Sequence, residues 1–209
     1  MKISLINAGK RFNRDWIFRK ITQEFISGAA YAITGPNGSG KSTLLQVIGG
    51  AMMMSEGNVQ YEVGTQKTEV HVDQAFKYIS IAAPYLELIE EMTLHEFLQF
   101  HKQFKPFLPH YDIPEIINAI GLQAAAQKQI RFYSSGMKQR VKLAQAIFSD
   151  VPCVLLDEPC TNLDAAGIAL YHKLINDHCN DRLVIVSSND EQEYSFCKEK
   201  ISIADFKKS

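Results

Sequence analysis

Residues 35–43 combine glycines, a lysine and hydroxyl side chains in a spacing that suits phosphate binding. They match the pattern G-x-x-x-x-G-K-S/T and read Gly35-Pro36-Asn37-Gly38-Ser39-Gly40-Lys41-Ser42-Thr43. Glycine permits the tight turns in which successive backbone N–H groups converge on a phosphate. The Lys41 ammonium would reach the β- and γ-phosphates, and the Ser42 hydroxyl would bind Mg²⁺. All nine residues are therefore predicted to form a site for a nucleoside triphosphate.

An apolar stretch that ends in two carboxylates lies further along the chain. Residues 154–156 are Val-Leu-Leu, and Asp157, Glu158 and Pro159 follow them. Such a strand would deliver the acids to the carboxyl edge of a parallel sheet, beside a phosphate loop. We expect Asp157 to bind Mg²⁺, directly or through water, and Glu158 to orient the attacking water as the catalytic carboxylate. Adjacent side chains on a strand point in opposite directions, so both roles require Glu158 to lie where the chain turns.

A short serine and glycine turn precedes a third candidate segment. Ser134, Ser135 and Gly136 come directly before a helical stretch with apolar positions at Val141 and Ile147. Free N–H groups at a helix N-terminus attract anions. A serine at this position can also act only as a helix cap, so the residues alone leave both roles open.

These segments need a framework, and the hydrophobic pattern indicates one. Residues 3–6 and 17–26 alternate apolar and polar side chains, which predicts antiparallel strands, with further strands at 59–63, 69–72 and 78–81. Helices are expected within residues 94–149; the first begins with a capping box at Thr93 and Glu96, and another spans 112–120. From residue 151 onward, strands at 154–156, 183–187 and 201–203 alternate with helices at 164–179 and 190–197, which favours a parallel sheet.

Composition excludes several classes of protein. The 209 residues carry a formal net charge of −1, so bulk charge gives no attraction to nucleic acid, and we expect no nucleic-acid partner. The chain has no apolar run of the length that a membrane span requires, and its first seven residues turn polar too soon for a secretory signal. The four cysteines form no C-x-x-C pair, which favours reduced, packed thiols. We expect a cytoplasmic protein without its own membrane anchor.

The order of these segments resembles that of the nucleotide-binding domain of ABC transporters over nearly the whole chain. The phosphate loop comes first, then the Ser134-x-Gly136 turn with Gln139 and Arg140, then the Asp-Glu-Pro strand and residues 161–164. The resemblance implies an α/β fold: a P-loop NTPase core with a mostly parallel sheet, an N-terminal antiparallel β subdomain and an inserted helical subdomain at about residues 84–150. It also implies one ABC-type ATP-binding domain over residues 1–209, with ATP and Mg²⁺ as its ligands.

The resemblance assigns roles to particular residues. Such domains bind ATP between two copies or two homologous ATPases, so Ser134 and Gly136 would contact the γ-phosphate held by Lys41 of a second copy. Asp164 would close a segment that crosses the dimer interface. Phe12 has the spacing of the family's adenine-stacking aromatic residue; a core residue at a strand end is the alternative, and Trp16 is a less favoured substitute.

The same resemblance implies a second kind of partner. A separate integral membrane permease would hold the protein at the inner face of the membrane. Residues 84–105 are the candidate docking surface, with Leu86, Leu88 and Ile89 among three glutamates; an exposed acidic lead-in to a helix is the alternative.

Three departures from the family pattern bear on activity. Ser135 and Met137 replace a glycine and a glutamine in the signature turn, although Gly-Met-Lys-Gln-Arg is similar to variants in ABC exporter ATPases of the drug and polysaccharide type. The glutamine expected before the helical subdomain would fall near Pro84, where the chain has none. Asn189 occupies the position of the switch histidine; its amide can donate a hydrogen bond to a γ-phosphate but carries no positive charge.

We therefore predict an ATPase that turns over slowly. Lys41, Ser42, Asp157 and Glu158, which carry most of the positioning and charge neutralisation, are present. Asn189 is the remaining catalytic candidate and the reason for the low rate. The alternative is a nucleotide-gated binding or assembly module with little turnover. An ABC protein of translation or DNA repair is less favoured, because those usually need a second nucleotide-binding domain or a long coiled-coil insert.

Overall fold

The computed structural model describes residues 1–206, in which two β-sheets and six α-helices form the framework. The strands are β1 (Lys2–Phe12), β2 (Asp15–Ile26), β3 (Ala30–Thr34), β4 (Glu56–Val63), β5 (Thr68–Val70), β6 (Ile79–Ala82), β7 (Cys153–Asp157), β8 (Leu183–Ser187) and β9 (Glu199–Ser202). The helices are α1 (Lys41–Ile48), α2 (Leu94–Lys102), α3 (Ile113–Ala119), α4 (Ser135–Ile147), α5 (Ala165–His178) and α6 (Glu191–Tyr194). Short 3₁₀ helices span Val72–Lys77, Gln123–Ala125, Ile130–Phe132 and Ile203–Phe206. None of the helices described is long and apolar enough to cross a membrane.

The first sheet is antiparallel and has the order β2-β1-β4-β5. Ile3 pairs with Phe25, and both are completely buried. The strand neighbours of Phe25, Glu24 and Ile26, are exposed and face the other side, so the alternation in β2 corresponds to one buried and one solvated face. The predicted antiparallel N-terminal sheet is confirmed.

The second sheet is parallel, with the order β6-β7-β8-β3-β9. Every residue of β7 and β8 is buried, as the apolar runs at both strands indicate for a sheet covered on its two faces. The register pairs Asp157 with Ser187 and Ala82 with Leu156. The strands therefore end at nearly the same level, and the loops that follow them share one edge.

Successive residues of β7 contribute to two different cores. Leu155 packs in a cluster with the antiparallel sheet and α1, whereas Leu156 packs in a cluster with α2, α3, α4 and α5. This follows from the two-residue period of a strand. The α/β fold class predicted from the resemblance is confirmed.

Helices α2, α3 and α4 lie between β6 and β7, where the resemblance placed a helical insert. The predicted capping box is present: the Glu96 N–H donates to the Thr93 hydroxyl at 3.2 Å, and the Thr93 N–H donates to Glu96 at 2.8 Å. Asp112 and Glu115 form an equivalent box at the start of α3. The division of residues 1–209 into one domain with an insert at about 84–150 stays a prediction.

The helix expected over residues 190–197 is shorter than predicted. Helix α6 ends at Tyr194, whose carbonyl accepts a hydrogen bond from the Cys197 N–H at 2.8 Å in the turn that follows. The chain must turn here because β9 begins at Glu199, where it pairs with Tyr31 of β3. Pairing with the sheet thus overrides the helical pattern of the sequence.

Helix α2 is joined to the end of α4 by a histidine. The Ser149 hydroxyl donates to the Gln145 carbonyl at 2.6 Å, so it accepts its hydrogen bond from His101 Nε2, 2.9 Å away. Burial lowers the pKa of His101 to about 4, and the nearby charge of Lys105 contributes. The folded protein therefore holds this imidazole neutral.

We expect acid to weaken the fold through His101. Its folded pKa of about 4 lies below its ordinary 6.5, so this contribution to stability is complete above 6.5 and is lost as the pH falls towards 4. His101→Gln keeps a side-chain N–H for Ser149 but does not ionise there. Melting temperatures measured across that pH interval should therefore fall less for the variant than for the wild type. His95→Gln on the same helix is the matched control, and identical pH profiles for wild type and His101→Gln would contradict the prediction.

Candidate functional site

The predicted phosphate loop connects β3 to α1 and depends on left-handed glycines. Gly35, Gly38 and Gly40 have φ values of +145°, +73° and +106°. Gly40 is the N-cap of α1, where it makes no side-chain cap, and the first turn holds no acidic residue. The N–H groups of this turn and the positive end of the helix dipole are therefore available to an anion.

Neighbouring elements hold the loop closely. A Cβ atom added at Gly35 would lie 2.7 Å from Ile203 Cγ2, and one added at Gly40 would overlap Ile17 Cγ2. Glycine is thus required here for space as well as for backbone conformation. The loop is fixed between β2 and the 3₁₀ helix after β9.

Lys41 lies folded back over its own loop. Its Nζ donates to the Gly35 carbonyl at 2.8 Å and to the Pro36 carbonyl at 3.4 Å, and the residue is only 5% exposed. Ser42 and Thr43 follow in the first turn of α1 and are partly exposed. A cation and hydroxyl groups therefore line the loop, as the sequence predicted.

The two carboxylates occupy different backbone positions. Asp157 is the last residue of β7 and is 2% exposed, whereas Glu158 has a φ of +44° in the left-handed region. The Glu158 N–H donates to the Ser187 carbonyl at 2.9 Å, and its carbonyl accepts from the Thr161 N–H at 3.1 Å. The chain thus turns at Glu158, which is the condition under which the two neighbouring acids can serve one site. A strained backbone at a bulky residue is itself typical of functional sites.

The residues present fit a magnesium ion. Asp157 Oδ1 is buried and has no hydrogen-bond partner among residues 1–206, an arrangement that is costly without a ligand. Mg²⁺ is usually bound by one or two protein oxygens together with substrate phosphates and water. Accordingly, the described part of the chain contains no cluster of three or more His, Cys, Asp or Glu side chains that could hold a metal alone. Asp157 and Ser42 are the candidate ligands.

The loop after β8 contacts the phosphate loop directly. The Ser188 N–H donates to the Ile33 carbonyl at 3.1 Å, and Asn189 Nδ2 donates to Asn37 Oδ1 at 2.5 Å. Asn37 and Asn189 are 152 residues apart in the sequence. Asn189, predicted at the switch position, therefore lies against the loop that would hold the phosphates.

The signature turn lies elsewhere on the surface. The Ser134 hydroxyl caps α4 by accepting from the Met137 N–H at 3.2 Å, and a Cβ at Gly136 would lie 2.9 Å from the Asn162 carbonyl. These contacts are with α4 and with the turn before α5; for residues 1–206, neither involves the phosphate loop of the same chain. Ser134 is exposed and Gly136 partly so, which leaves this turn accessible to a second molecule.

Phe12 and Trp16 differ in how their rings are covered. Phe12 lies at the tip of the β1–β2 hairpin and is 46% exposed, with the Lys10 ammonium 5.1 Å from the ring centroid. The Trp16 ring has the guanidinium of Arg19 at 4.1 Å and that of Arg11 at 5.5 Å. Phe12 is therefore the more accessible of the two for stacking on a base, and it is not the core residue that the alternative required.

Two polar side chains near the carboxylates had been given no role of their own by sequence reasoning. Gln139 is buried, and its Nε2 donates to the Pro159 carbonyl at 2.7 Å, which joins α4 to the Glu158 turn. Beside Pro84, burial raises the pKa of Tyr85, contact with the Gln46 side chain lowers it, and the charge of Asp157 raises it further. The sequence offered one signal for Tyr85, because it lies one residue from the position at which the glutamine was expected.

Comparisons with known proteins agree on one family. A family model described as ABC transporter matches residues 18–161. The chain is 30% identical over 203 residues to the cytochrome c biogenesis ATP-binding export protein CcmA of Rhizobium meliloti, covering 96% of each chain. It is 28% identical over 193 residues to the uncharacterized ABC transporter ATP-binding protein YybJ of Bacillus subtilis, covering 91% of this chain and 87% of that protein.

Solved structures agree on the fold. A dimer structure of a bacterial ABC transporter cassette superposes with a TM-score of 0.80 at 22% identity, covering 96% of this chain and 93% of that chain. The structure of an ATP-binding subunit of an ABC transporter gives 0.82 at 19% identity, with 97% and 85% covered. At these identities the likeness concerns the fold alone.

The glycine geometry gives a prediction with an internal control. Gly38→Ala should lose only about 1–2 kcal/mol through left-handed strain, because nothing lies within 4 Å of a Cβ there. Gly40→Ala adds overlap with Ile17 and should lower the melting temperature of the nucleotide-free protein further. Thermal unfolding of both variants measures the difference. An equal decrease in melting temperature for the two variants would contradict the close contact between Gly40 and Ile17 of β2.

Proposed function

Because this chain belongs to the ABC transporter family and is an ATP-binding subunit of that family, we propose that it binds Mg²⁺-ATP between two copies and hydrolyses it slowly to drive a separate membrane permease. The observation that carries the proposal is the meeting of three loops at one sheet edge. There the Lys41 ammonium is bonded to loop carbonyls, Asp157 has a buried oxygen without a partner in the described part of the chain, and Asn189 contacts Asn37. ATP hydrolysis is general in this family.

The phosphates would be bound mainly by backbone. N–H groups of the loop and of the first turn of α1 would bind the phosphate oxygens, and the Lys41 ammonium would supply the formal positive charge. Binding would move that ammonium from the carbonyls of Gly35 and Pro36 towards the β- and γ-phosphates. Phe12 would stack on the adenine from the hairpin tip.

Hydrolysis requires an oriented water and neutralised charge. Ser42 and Asp157 would hold Mg²⁺, which neutralises phosphate charge when it is bound. Glu158 would accept a hydrogen bond from the water that attacks the γ-phosphorus as the bond to the bridging oxygen breaks. In a regular strand the two side chains would point in opposite directions, and the left-handed turn at Glu158 would let its carboxylate serve the same site as that of Asp157.

Asn189 accounts for the low rate that we propose. Its amide can donate one hydrogen bond to the γ-phosphate, but it adds no charge to balance the transition state. The same Nδ2 gives one of its two N–H groups to Asn37, so the other N–H is the one that would bind the phosphate. Loss of one donor to developing charge costs on the order of 10²-fold in rate, of which Asn189 recovers a part.

The signature turn supports the dimer. Ser134 and Gly136 are accessible and are held by α4 and Asn162. A second copy, or a homologous ATPase, would present its phosphate loop to them, and Asp164, which caps α5 and pairs with Arg140 at 3.7 Å, would lie at the interface.

The segment after β6 is the proposed permease contact. Lys138 of α4 pairs with Glu90 at 2.5 Å, and Lys142 donates to the Pro84 carbonyl at 3.0 Å, so the segment is tied to the signature helix. Leu88 is 8% exposed and packs in the core, which removes it from the predicted docking surface, whereas Ile89 is 37% exposed. Docking here would hold the protein at the cytoplasmic face of the membrane.

The alternative function is a nucleotide-gated assembly module. The absence of glutamine at Pro84 and of histidine at 189 favours it. Single-turnover hydrolysis at high protein concentration without a permease separates the two functions: tight ATP binding without cleavage supports the module, and cleavage supports the ATPase.

Two substitutions test the catalytic assignments. Glu158→Gln should abolish steady-state phosphate release, because the amide is a poor acceptor for the attacking water. Asn189→His should raise release by about 10-fold or more, since it restores a donor able to carry charge. Asn189→Ala is the control and should fall below the wild type.

Each assignment fails on a different result. Unchanged turnover in Asn189→His, while Glu158→Gln is inactive, would show that the histidine position is not limiting. A measurable wild-type rate that Glu158→Gln leaves unaltered would remove Glu158 from the mechanism.

A further inference from the structure

Glu193 is a buried carboxylate to which none of the roles above belongs. It lies in α6, four residues after Asn189, and is 5% exposed. Its Oε1 accepts a hydrogen bond from the Cys160 N–H at 2.7 Å. Cys160 lies two residues after Glu158 and four before Asp164. One carboxylate therefore links α6, which follows the loop after β8, to the loop after β7.

The other contacts of Glu193 fix its position. Its backbone carbonyl accepts from the Tyr171 hydroxyl at 2.7 Å, which anchors α6 on α5. Asp190 caps α6 by accepting from the Gln192 N–H at 2.9 Å. Helix α6 is thus stabilised by the cap at its N-terminus and by the hydrogen bond from Tyr171, and it places the Glu193 carboxylate next to the Cys160 N–H.

The carboxylate also lies close to catalytic groups. Burial raises its pKa, contact with the Ser188 hydroxyl and the hydrogen bond from the Cys160 N–H lower it, and the charges of Asp190 and Glu158 raise it further. Its second oxygen is buried and, like the Ser187 hydroxyl beside this loop, has no hydrogen-bond partner among residues 1–206. A buried acid with an unpartnered oxygen is costly, so a packing role alone gives no reason for it.

We propose that Glu193 is a positioning residue that holds the turn at 158–161 against the loop at 187–189, and thereby sets Glu158 and the interface residue Asp164 relative to Asn189. The inference rests on the proposed function, because it concerns the geometry of that site. A charge-assisted hydrogen bond to a backbone N–H suits the role, since it is short and directional. A glutamine would keep an acceptor at the same place, whereas an alanine would not.

Three substitutions on the full-length protein test the proposal. Glu193→Ala should lower kcat by about 10-fold or more and leave ATP affinity within about twofold, because displaced catalytic groups affect the reaction more than binding. Glu193→Gln should restore most of the rate. Glu191→Ala is the matched control: it removes an acid from the same helix that is 75% exposed and that, within residues 1–206, is bonded to Lys200 alone at 2.9 Å, and it should behave as wild type.

A measurement independent of turnover accompanies the kinetics. Amide hydrogen exchange of the nucleotide-free protein should rise in residues 158–164 of Glu193→Ala and remain unchanged there in Glu191→Ala. Faster exchange throughout the chain with a lower melting temperature, and no rescue by glutamine, would mean a purely structural role and would overturn the proposal. Wild-type exchange at 158–164 would overturn it as well.

A second variant tests the same role of Glu193 if Glu193→Ala cannot be studied. If it does not fold, Glu193→Asp withdraws the carboxylate by one methylene and should turn over more slowly than Glu193→Gln; the reverse order would contradict positioning. Failure of the proposed function would give a different result: the wild type would release no phosphate, or Glu158→Gln would have no effect on phosphate release. The exchange measurement still decides the role of Glu193 in that case.

Discussion

Strands β3, β7 and β8 run parallel and end at one level, with Ser187 paired to Asp157 on one side and to Ile33 on the other. Each strand is buried on both faces, and alternate residues enter two different cores. A slip of one residue would exchange the side chains of those cores, so packing fixes the register. The phosphate loop, the carboxylates and Asn189 meet because their strands cannot shift. The geometry of the candidate site is thus a consequence of hydrophobic packing in the strands several residues away.

The edge created in this way contains polar atoms that the fold leaves unsatisfied. Within residues 1–206, the buried side-chain oxygens without a partner belong to Ser39, Asp157, Ser187 and Glu193. All four residues lie in or next to the loops after β3, β7 and β8. Unpaired buried oxygens oppose folding, and their confinement to one edge indicates a surface arranged for a ligand rather than for stability.

Local patterns in the sequence were sufficient for the framework and for the phosphate loop. Alternation predicted the antiparallel strands, apolar runs predicted the parallel ones, and the capping box at Thr93 required only four residues. The end of α6 was missed because pairing of β9 with β3, a contact between distant segments, decides it. The contacts of the Gln139 and Glu193 side chains were missed for a similar reason. Each acts by bonding a backbone group of the 159–160 turn, and no side-chain pattern encodes such a contact.

The Lys41 ammonium also acts as an internal strut. It donates to two carbonyls of its own loop. Replacing the lysine would therefore leave those carbonyls without their donor, in addition to removing the phosphate contact that we propose for it. A chain substituted at Lys41 would have a changed loop conformation. It would therefore differ from an unaltered chain to which no nucleotide is bound. In a mixed dimer, such a chain would change the shape offered to its neighbour as well as the number of nucleotides bound.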